Sequence, residues 1–96
     1  MIRIEERVDS TIVNDSFYNV IMFNDEETPF NYVIAVLNQL FDYSIADSKK
    51  LAMHIHMNGT GIVATLPMAE AYEKVAEVDA MNNMFGFLLQ TDVKKA

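Results

Sequence analysis

The chain has no cysteine. That removes a disulfide framework, a thiolate zinc site and a cysteine nucleophile together, and it fits a reducing compartment. Basic residues are scarce, seven Lys and Arg against fourteen Asp and Glu, for a net charge of −7. Binding to DNA or RNA needs clustered cations, so the charge balance argues against nucleic acid and favours a cationic partner. No apolar run approaches the roughly 20 residues that span a bilayer. The stretch from Met1 to Asp15 mixes charges where a signal peptide would carry an apolar core. The expected compartment is the cytoplasm, with no membrane partner. Three glycines are too few and too scattered for a phosphate-cradling loop; Gly59-Thr60-Gly61 reads as turn punctuation. Gly-x-Ser-x-Gly and His-Glu-x-x-His are absent, and so is the calcium loop with its regular oxygen ligands.

What is present is a globular composition. About half of the 96 residues are hydrophobic, 51%, enough for one domain with a modest core. Residues 1–16 are polar and weakly periodic and read as a flexible N-terminal tail; residues 17–96 form the core domain. Tyr18 to Phe23 is an apolar run that reads as a strand, near-continuous as if covered on both faces. Phe30, Val33, Ile34, Leu37, Leu40 and Phe41 repeat at helical spacing and predict a helix from Pro29 to about Phe41. Ser44 can cap a second helix, Ile45 to about Met57, which Asn58-Gly59 stops. Gly61 to Leu66 is rich in β-branched residues and reads as a strand. Pro67 opens a third helix, weakened at Asn82-Asn83, and Phe85 to Thr91 reads as a last strand before a frayed Lys94-Lys95-Ala96. The expected class is α+β: a two-layer sandwich with a three-stranded antiparallel sheet and three helices, in the order β-α-α-β-α-β.

Three features carry candidate chemistry. Asn24-Asp25-Glu26-Glu27-Thr28-Pro29 gathers side-chain acceptors where a strand hands over to a helix. Thr28 suits an N-cap and Pro29 the first helical position. Such a segment is either a solvated acidic turn at a helix N-terminus or a site for something positively charged. His54 and His56 stand two apart on a helix and so point to different faces; one is expected on the surface and the other partly buried. The exposed-or-core question also applies to Met53, Met57, Met68, Met81 and Met84, read as filler rather than a plastic binding surface. No metal or cofactor is called for.

The combined pattern resembles the ClpS family of protease adaptors. It consists of Tyr18-x-Val20 leading into Asn24-Asp25-x-x-Thr28-Pro29, then Val33-Ile34-x-Val36-Leu37, then Ile55-His56-x-x-Gly59. The resemblance covers about residues 17–91. It implies a binding protein rather than an enzyme, one that captures the first residue of an N-degron and delivers it to a Clp AAA+ ATPase coupled to the ClpP peptidase. It also implies that Asn24, Asp25 and His56 receive the substrate's α-ammonium. Thr28, Phe30, Ala52, Ile55 and Leu88 are implied as the hydrophobic pocket. The ATPase N-domain would dock on helix three through Glu70 and Lys74. A monomer suffices for all of this.

The chain departs from the family at several of these places. Phe30 and Ala52 stand where methionines are common, which points to a deeper pocket that prefers aromatic first residues to Leu and excludes Val and Ile. Glu26 stands where Asp is common. On helix three, Ala69-Glu70-Ala71-Tyr72-Glu73-Lys74 keeps Ala71 and Lys74 of the family's Glu-x-Ala-Glu-x-Lys but not its glutamates, and the tail is short. Those two changes motivate an alternative: a decoy that occupies the ATPase or the degron without productive delivery. A hydrolase built on His56 and Asp25 would lack a nucleophile and an oxyanion device.

Overall fold

The computed structural model describes residues 17–96. Strand β1 (Phe17–Phe23) leads to helices α1 (Phe30–Leu40) and α2 (Ile45–Asn58), strand β2 (Thr60–Pro67), helix α3 (Met68–Phe85) and strand β3 (Thr91–Lys95). The β-α-α-β-α-β order and the antiparallel three-stranded sheet are as expected, with β1 in the middle between β2 and β3. The tail expected over residues 1–16 lies outside the described residues. Among those described, no helix is long and apolar enough to cross a membrane.

β1 does not show the double-sided burial that its apolar run suggested. Val20 and Met22 are fully buried, while Asn19, Ile21 and Phe23 are half-buried. One face packs on the helices, and neighbouring strands shield the other residues from the side. The β1–β2 register slips between Val20 and Ile21, leaving Val63 as an extra residue. Tyr43 donates its hydroxyl to the Val63 carbonyl at 2.7 Å, so the bulge keeps a partner for that oxygen. The core gathers Val20, Met22, Leu37, Ile55, Val63 and Val78.

Helix α2 is bounded as its sequence suggested. The Ser44 side chain accepts the Asp47 N–H at 3.1 Å. Gly59 ends the helix in the left-handed region, φ 88°, and donates its N–H to the Ile55 carbonyl. β2 starts at the next residue. A Cβ on Gly61 would lie 2.8 Å from Ile55 Cγ1, so glycine permits β2 to run against the last turn of α2.

The C-terminal third differs from expectation. α3 continues through Asn82-Asn83 to Phe85 and ends at Gly86, φ 79°. Phe87 to Gln90 is a loop, and the strand occupies Thr91–Lys95. The alternation of Phe85, Phe87 and Leu89 imitates a strand, yet the loop buries Leu89 in the core and sets Phe87 against Tyr32, ring centroids 4.4 Å apart and tilted by 46°. Asn82 does not weaken the helix because both ends of its amide are bonded: Tyr32 Oη donates to Oδ1 at 2.8 Å, and Nδ2 donates to the Leu89 carbonyl at 2.8 Å. Burial pushes the Tyr32 hydroxyl pKa up, which keeps it a donor. Lys94 and Lys95, expected to fray, pair with Asn19 and Tyr18 across the sheet; lysines on an edge strand discourage further pairing.

Candidate functional site

The turn between β1 and α1 is pinned on both flanks. Phe23 donates its N–H to the Gln90 carbonyl at 3.0 Å, and Asn24 donates to the Gly59 carbonyl at 2.9 Å. These two bonds set the turn between the end of α2 and the loop before β3. They bring residues more than thirty positions apart to one place.

Asp25 organises the turn from within. Its Oδ1 accepts the N–H groups of Glu27 at 2.8 Å and Thr28 at 2.6 Å, and its Oδ2 accepts the Thr28 hydroxyl at 2.7 Å. Thr28 is therefore not the helix cap. The boundary residue is Pro29, with extended backbone and no side-chain cap bond. A threonine hydroxyl can serve a helix N–H or a nearby carboxylate, and here the carboxylate takes it. Partial burial on its own would raise the Asp25 pKa; the Thr28 hydroxyl, the Thr28 N–H and the Glu27 N–H outweigh it, and the net shift is downward. Asp25 is thus a fixed anion at neutral pH. A carboxylate has about four acceptor positions; three are used, and one stays open.

On the helical side of the turn lies a cleft of about 450 Å³. Asn24, Asp25 and Thr28 form its polar wall. Phe30 from α1 and Ala52 and Ile55 from α2 form its apolar wall, with His56 at the edge. Ala52 and Ile55 are each 2% exposed, so the floor is rigid core. Phe30 is 38% exposed and stands edge-on to the His56 ring, centroids 6.4 Å apart at 78°. The two histidines do face apart as their spacing required, but both are exposed. His54 is engaged by Asn58, whose Nδ2 lies 3.2 Å from His54 Nδ1. Its surface position follows from α2 packing through Ser48, Leu51, Ala52 and Ile55.

Seven of the eight residues expected to form the site meet in this cleft. Leu88 does not. It is 85% exposed and lines a second cleft, about 530 Å³, on the other side of the turn. The misplaced final strand explains the difference: in the loop, Leu89 rather than Leu88 turns inward. Val33 and Met53 line the first cleft and were not foreseen. Helical spacing was the available signal, since Val33 follows Phe30 by three and Met53 precedes His56 by three. Glu26 lines both clefts and Glu27 only the second. Among the described residues, no three side chains of His, Asp or Glu converge as a metal site would require.

Of the two residues expected on the docking helix, Glu70 is exposed in the first turn of α3. Lys74 is committed to the fold: its Nζ donates to the Leu40 carbonyl at 2.7 Å and to Glu77 at 3.2 Å, 5.9 Å from the Phe41 ring. It ties α3 to the end of α1.

Comparison with known proteins agrees with this architecture. Residues 14–92 match the family model described as ATP-dependent Clp protease adaptor protein ClpS. The ATP-dependent Clp protease adapter protein ClpS of Shewanella loihica is 37% identical over 76 residues, which is 79% of this chain and 74% of that protein. Its counterpart from Caulobacter vibrioides is 36% identical over 63 residues, 66% of this chain and 58% of that one. The structure of Agrobacterium tumefaciens ClpS2 bound to L-phenylalaninamide superposes with a TM-score of 0.80 at 26% identity, over 85% of this chain and 99% of that one. With four-fifths of its length inside the family model and its fold shared with a solved member, the chain belongs to the ClpS family of Clp protease adaptors.

Proposed function

We propose that this chain binds the N-terminal residue of N-degron proteins, with a preference for large aromatic side chains, and delivers them as a monomeric adaptor to a Clp ATPase–ClpP protease. One observation carries the reading: a single cleft is lined by a fixed anion, Asp25, and by Asn24 together with the buried apolar residues Ala52 and Ile55. The ligand of the solved relative has that same chemistry. Phenylalaninamide offers a free α-ammonium, an aromatic side chain and an amide where the next peptide bond would be.

The donor count fits. An α-ammonium has three N–H donors and no acceptor. The open position on Asp25 takes one, the Asn24 side-chain oxygen a second, and an unprotonated ring nitrogen of His56 a third. A protonated His56 would repel the ammonium instead. The side chain of the first residue enters between Phe30 and the Ala52–Ile55 floor. Its burial contributes roughly 1.5–3 kcal/mol. An internal peptide cannot enter without leaving these acceptors unpaired, which is costly and gives the site its selectivity for chain ends. Ala52 leaves depth for an aromatic ring, and the stiff Phe30 ring at the mouth excludes branching at Cβ, as in Val and Ile.

For docking on the ATPase N-domain, the exposed first turns of α3 with Glu70 supply the surface, and Lys74 acts by holding α3 in place. No observation favours a decoy, and the relatives are described as adaptors. Fluorescence titration with peptides that differ only in residue one tests the substrate preference. Phe and Trp are expected to bind more tightly than Leu, and equal affinity for all three would refute the aromatic preference. Addition of the chain to a reconstituted Clp protease is expected to accelerate degradation of a Phe-initiated reporter; dose-dependent slowing would overturn delivery.

A further inference from the structure

Of the five methionines expected to fill the core, only Met81 is buried; Met53, Met57, Met68 and Met84 are exposed. Two of the exposed ones stand beside an exposed histidine. α2 packs inward through Ser48, Leu51, Ala52 and Ile55, which turns Met53, His56 and Met57 outward together. His56 follows Met53 by three and Met57 follows it by four, the spacings that make neighbours on a helix surface. Helical side chains lean toward the N-terminus, so the imidazole and the second thioether both lean back over the first. Phe30, Met53 and His56 line the first cleft, and the Phe30 ring stands 6.4 Å from the His56 ring. Met57 is 73% exposed and lines neither cleft. His54, engaged by Asn58, belongs to the other side of the helix.

We propose that Met53, His56 and Met57 form a three-donor site for a soft monovalent cation, Cu(I), at the rim of the first cleft, and that the metal and a substrate's α-ammonium exclude each other there. Thioether sulfur and imidazole nitrogen are the donors that select Cu(I) over harder cations. Calcium and magnesium need oxygen ligands, and zinc sites take thiolate, imidazole and carboxylate rather than thioether. A methionine side chain has three rotatable bonds, so the two thioethers can close on a metal that the stiffer imidazole positions. The Phe30 ring adds an aromatic neighbour, and aromatic rings attract cations. The exclusion rests on the proposed role of His56 as an ammonium acceptor. A neutral imidazole has one ring nitrogen that accepts and one that carries the proton. Once the metal takes the first, the ring keeps only a donor and has nothing to offer an ammonium. The charge of the metal repels the ammonium as well. Capture of a chain end thereby becomes sensitive to copper.

Ag(I) shares this donor preference, does not oxidise in air and serves as the probe. Silver nitrate is titrated into the full chain in chloride-free buffer while the methionine methyl resonances are followed by NMR. The first equivalent is expected to shift Met53 and Met57 and to leave Met68, Met81 and Met84 in place. Equal shifts at Met68 and Met84 would mean indiscriminate thioether binding and overturn the site. Met57→Leu is expected to weaken Ag(I) at least about tenfold, the scale on which a metal site responds to its supporting groups, while affinity for a Phe-initiated peptide without metal stays unchanged. Unchanged Ag(I) affinity in that variant would overturn the site. His54→Gln is expected to cost nothing; if it abolishes binding and His56→Gln does not, the metal lies on the other face and the proposal fails. Saturating Ag(I) is expected to weaken the Phe-initiated peptide about tenfold or more, and the peptide to weaken Ag(I) by the same factor. If Ag(I) binds at Met53, His56 and Met57 while peptide affinity holds, the metal site stands, and the exclusion falls together with the ammonium role of His56.

Discussion

The two clefts share one wall and differ in the other. On the helical side, the opposite wall is core: Ala52 and Ile55 belong to the packed interior, and Gly61 lets β2 press against Ile55. On the loop side, the opposite wall is a single connection, Gly86 to Gln90, fixed through the Asn82 amide and the Phe87 ring. A wall of close-packed side chains can measure the shape of one residue. An exposed loop wall can distinguish only coarse features such as charge and stem length. The helical side is therefore the one able to hold a single residue to a strict shape.

The largest expected effect comes from breaking the shared wall. Asp25→Ala removes the anion and frees three donors that it holds. Loss of a charged acceptor costs roughly 2–5 kcal/mol where its partner is left unpaired, so titration should show peptide affinity falling at least about thirtyfold for every first residue. An intact affinity would mean that the turn is only scaffold. Phe30→Ala breaks the helical side alone. Val- and Ile-initiated peptides should then gain on Phe about five- to tenfold in competition assays, with little change in melting temperature, because Phe30 is partly exposed. If β-branched peptides stay excluded, the mouth is set elsewhere.

The loop side is probed by Tyr32→Phe. It leaves the buried Asn82 oxygen without its donor, at a cost of about 1–3 kcal/mol, or roughly 5–15 °C in melting temperature for a domain of this size. Affinity for residue one should change little, because Asn82 and the Leu89 carbonyl that it holds lie on the loop side. A large loss of peptide affinity alongside the loss of stability would show that the two walls do not move separately.

The smallest effect is a pH shift. The lowered Asp25 pKa means that its contribution to the turn is complete above the unperturbed value of 3.8 and is lost only as pH falls through the still lower folded value. Thr28→Val removes the strongest of the opposing hydrogen bonds, so burial then counts for more and the pKa rises. NMR titration of the Asp25 carboxyl should show the variant losing its charge at higher pH than the parent. An unchanged midpoint would assign the shift to the backbone donors alone.

Much of the fold was legible because its signals are local. Ser44, Gly59 and the helical repeat from Phe30 to Phe41 each act within a turn or two of chain. The last strand was misread for a related reason: alternation of Phe85, Phe87 and Leu89 imitates a strand although Phe85 ends a helix and is exposed, and only the partners of Asn82, seven and fifty positions away, reveal the loop that buries Leu89. The site shows the same divide. Asn24 and Asp25 stood out as acceptors, but composition could not separate a solvated turn from a binding wall. Their meeting with His56 depends on the Asn24–Gly59 backbone bond, which no periodicity announces; the resemblance of the two motifs to one family supplied that link. Leu88 lines the other cleft, and the sequence did not show this because a loop carries no face by which neighbouring leucines can be told apart.

The most direct measurement compares a Phe-initiated peptide with its N-acetylated twin by calorimetry on the full chain. Acetylation removes the cation and leaves the aromatic side chain intact. Capture of a charged chain end at Asn24, Asp25 and His56 requires affinity to fall about a hundredfold or more. Equal affinity for the two peptides would contradict it and leave only an apolar cleft beside a solvated acidic turn.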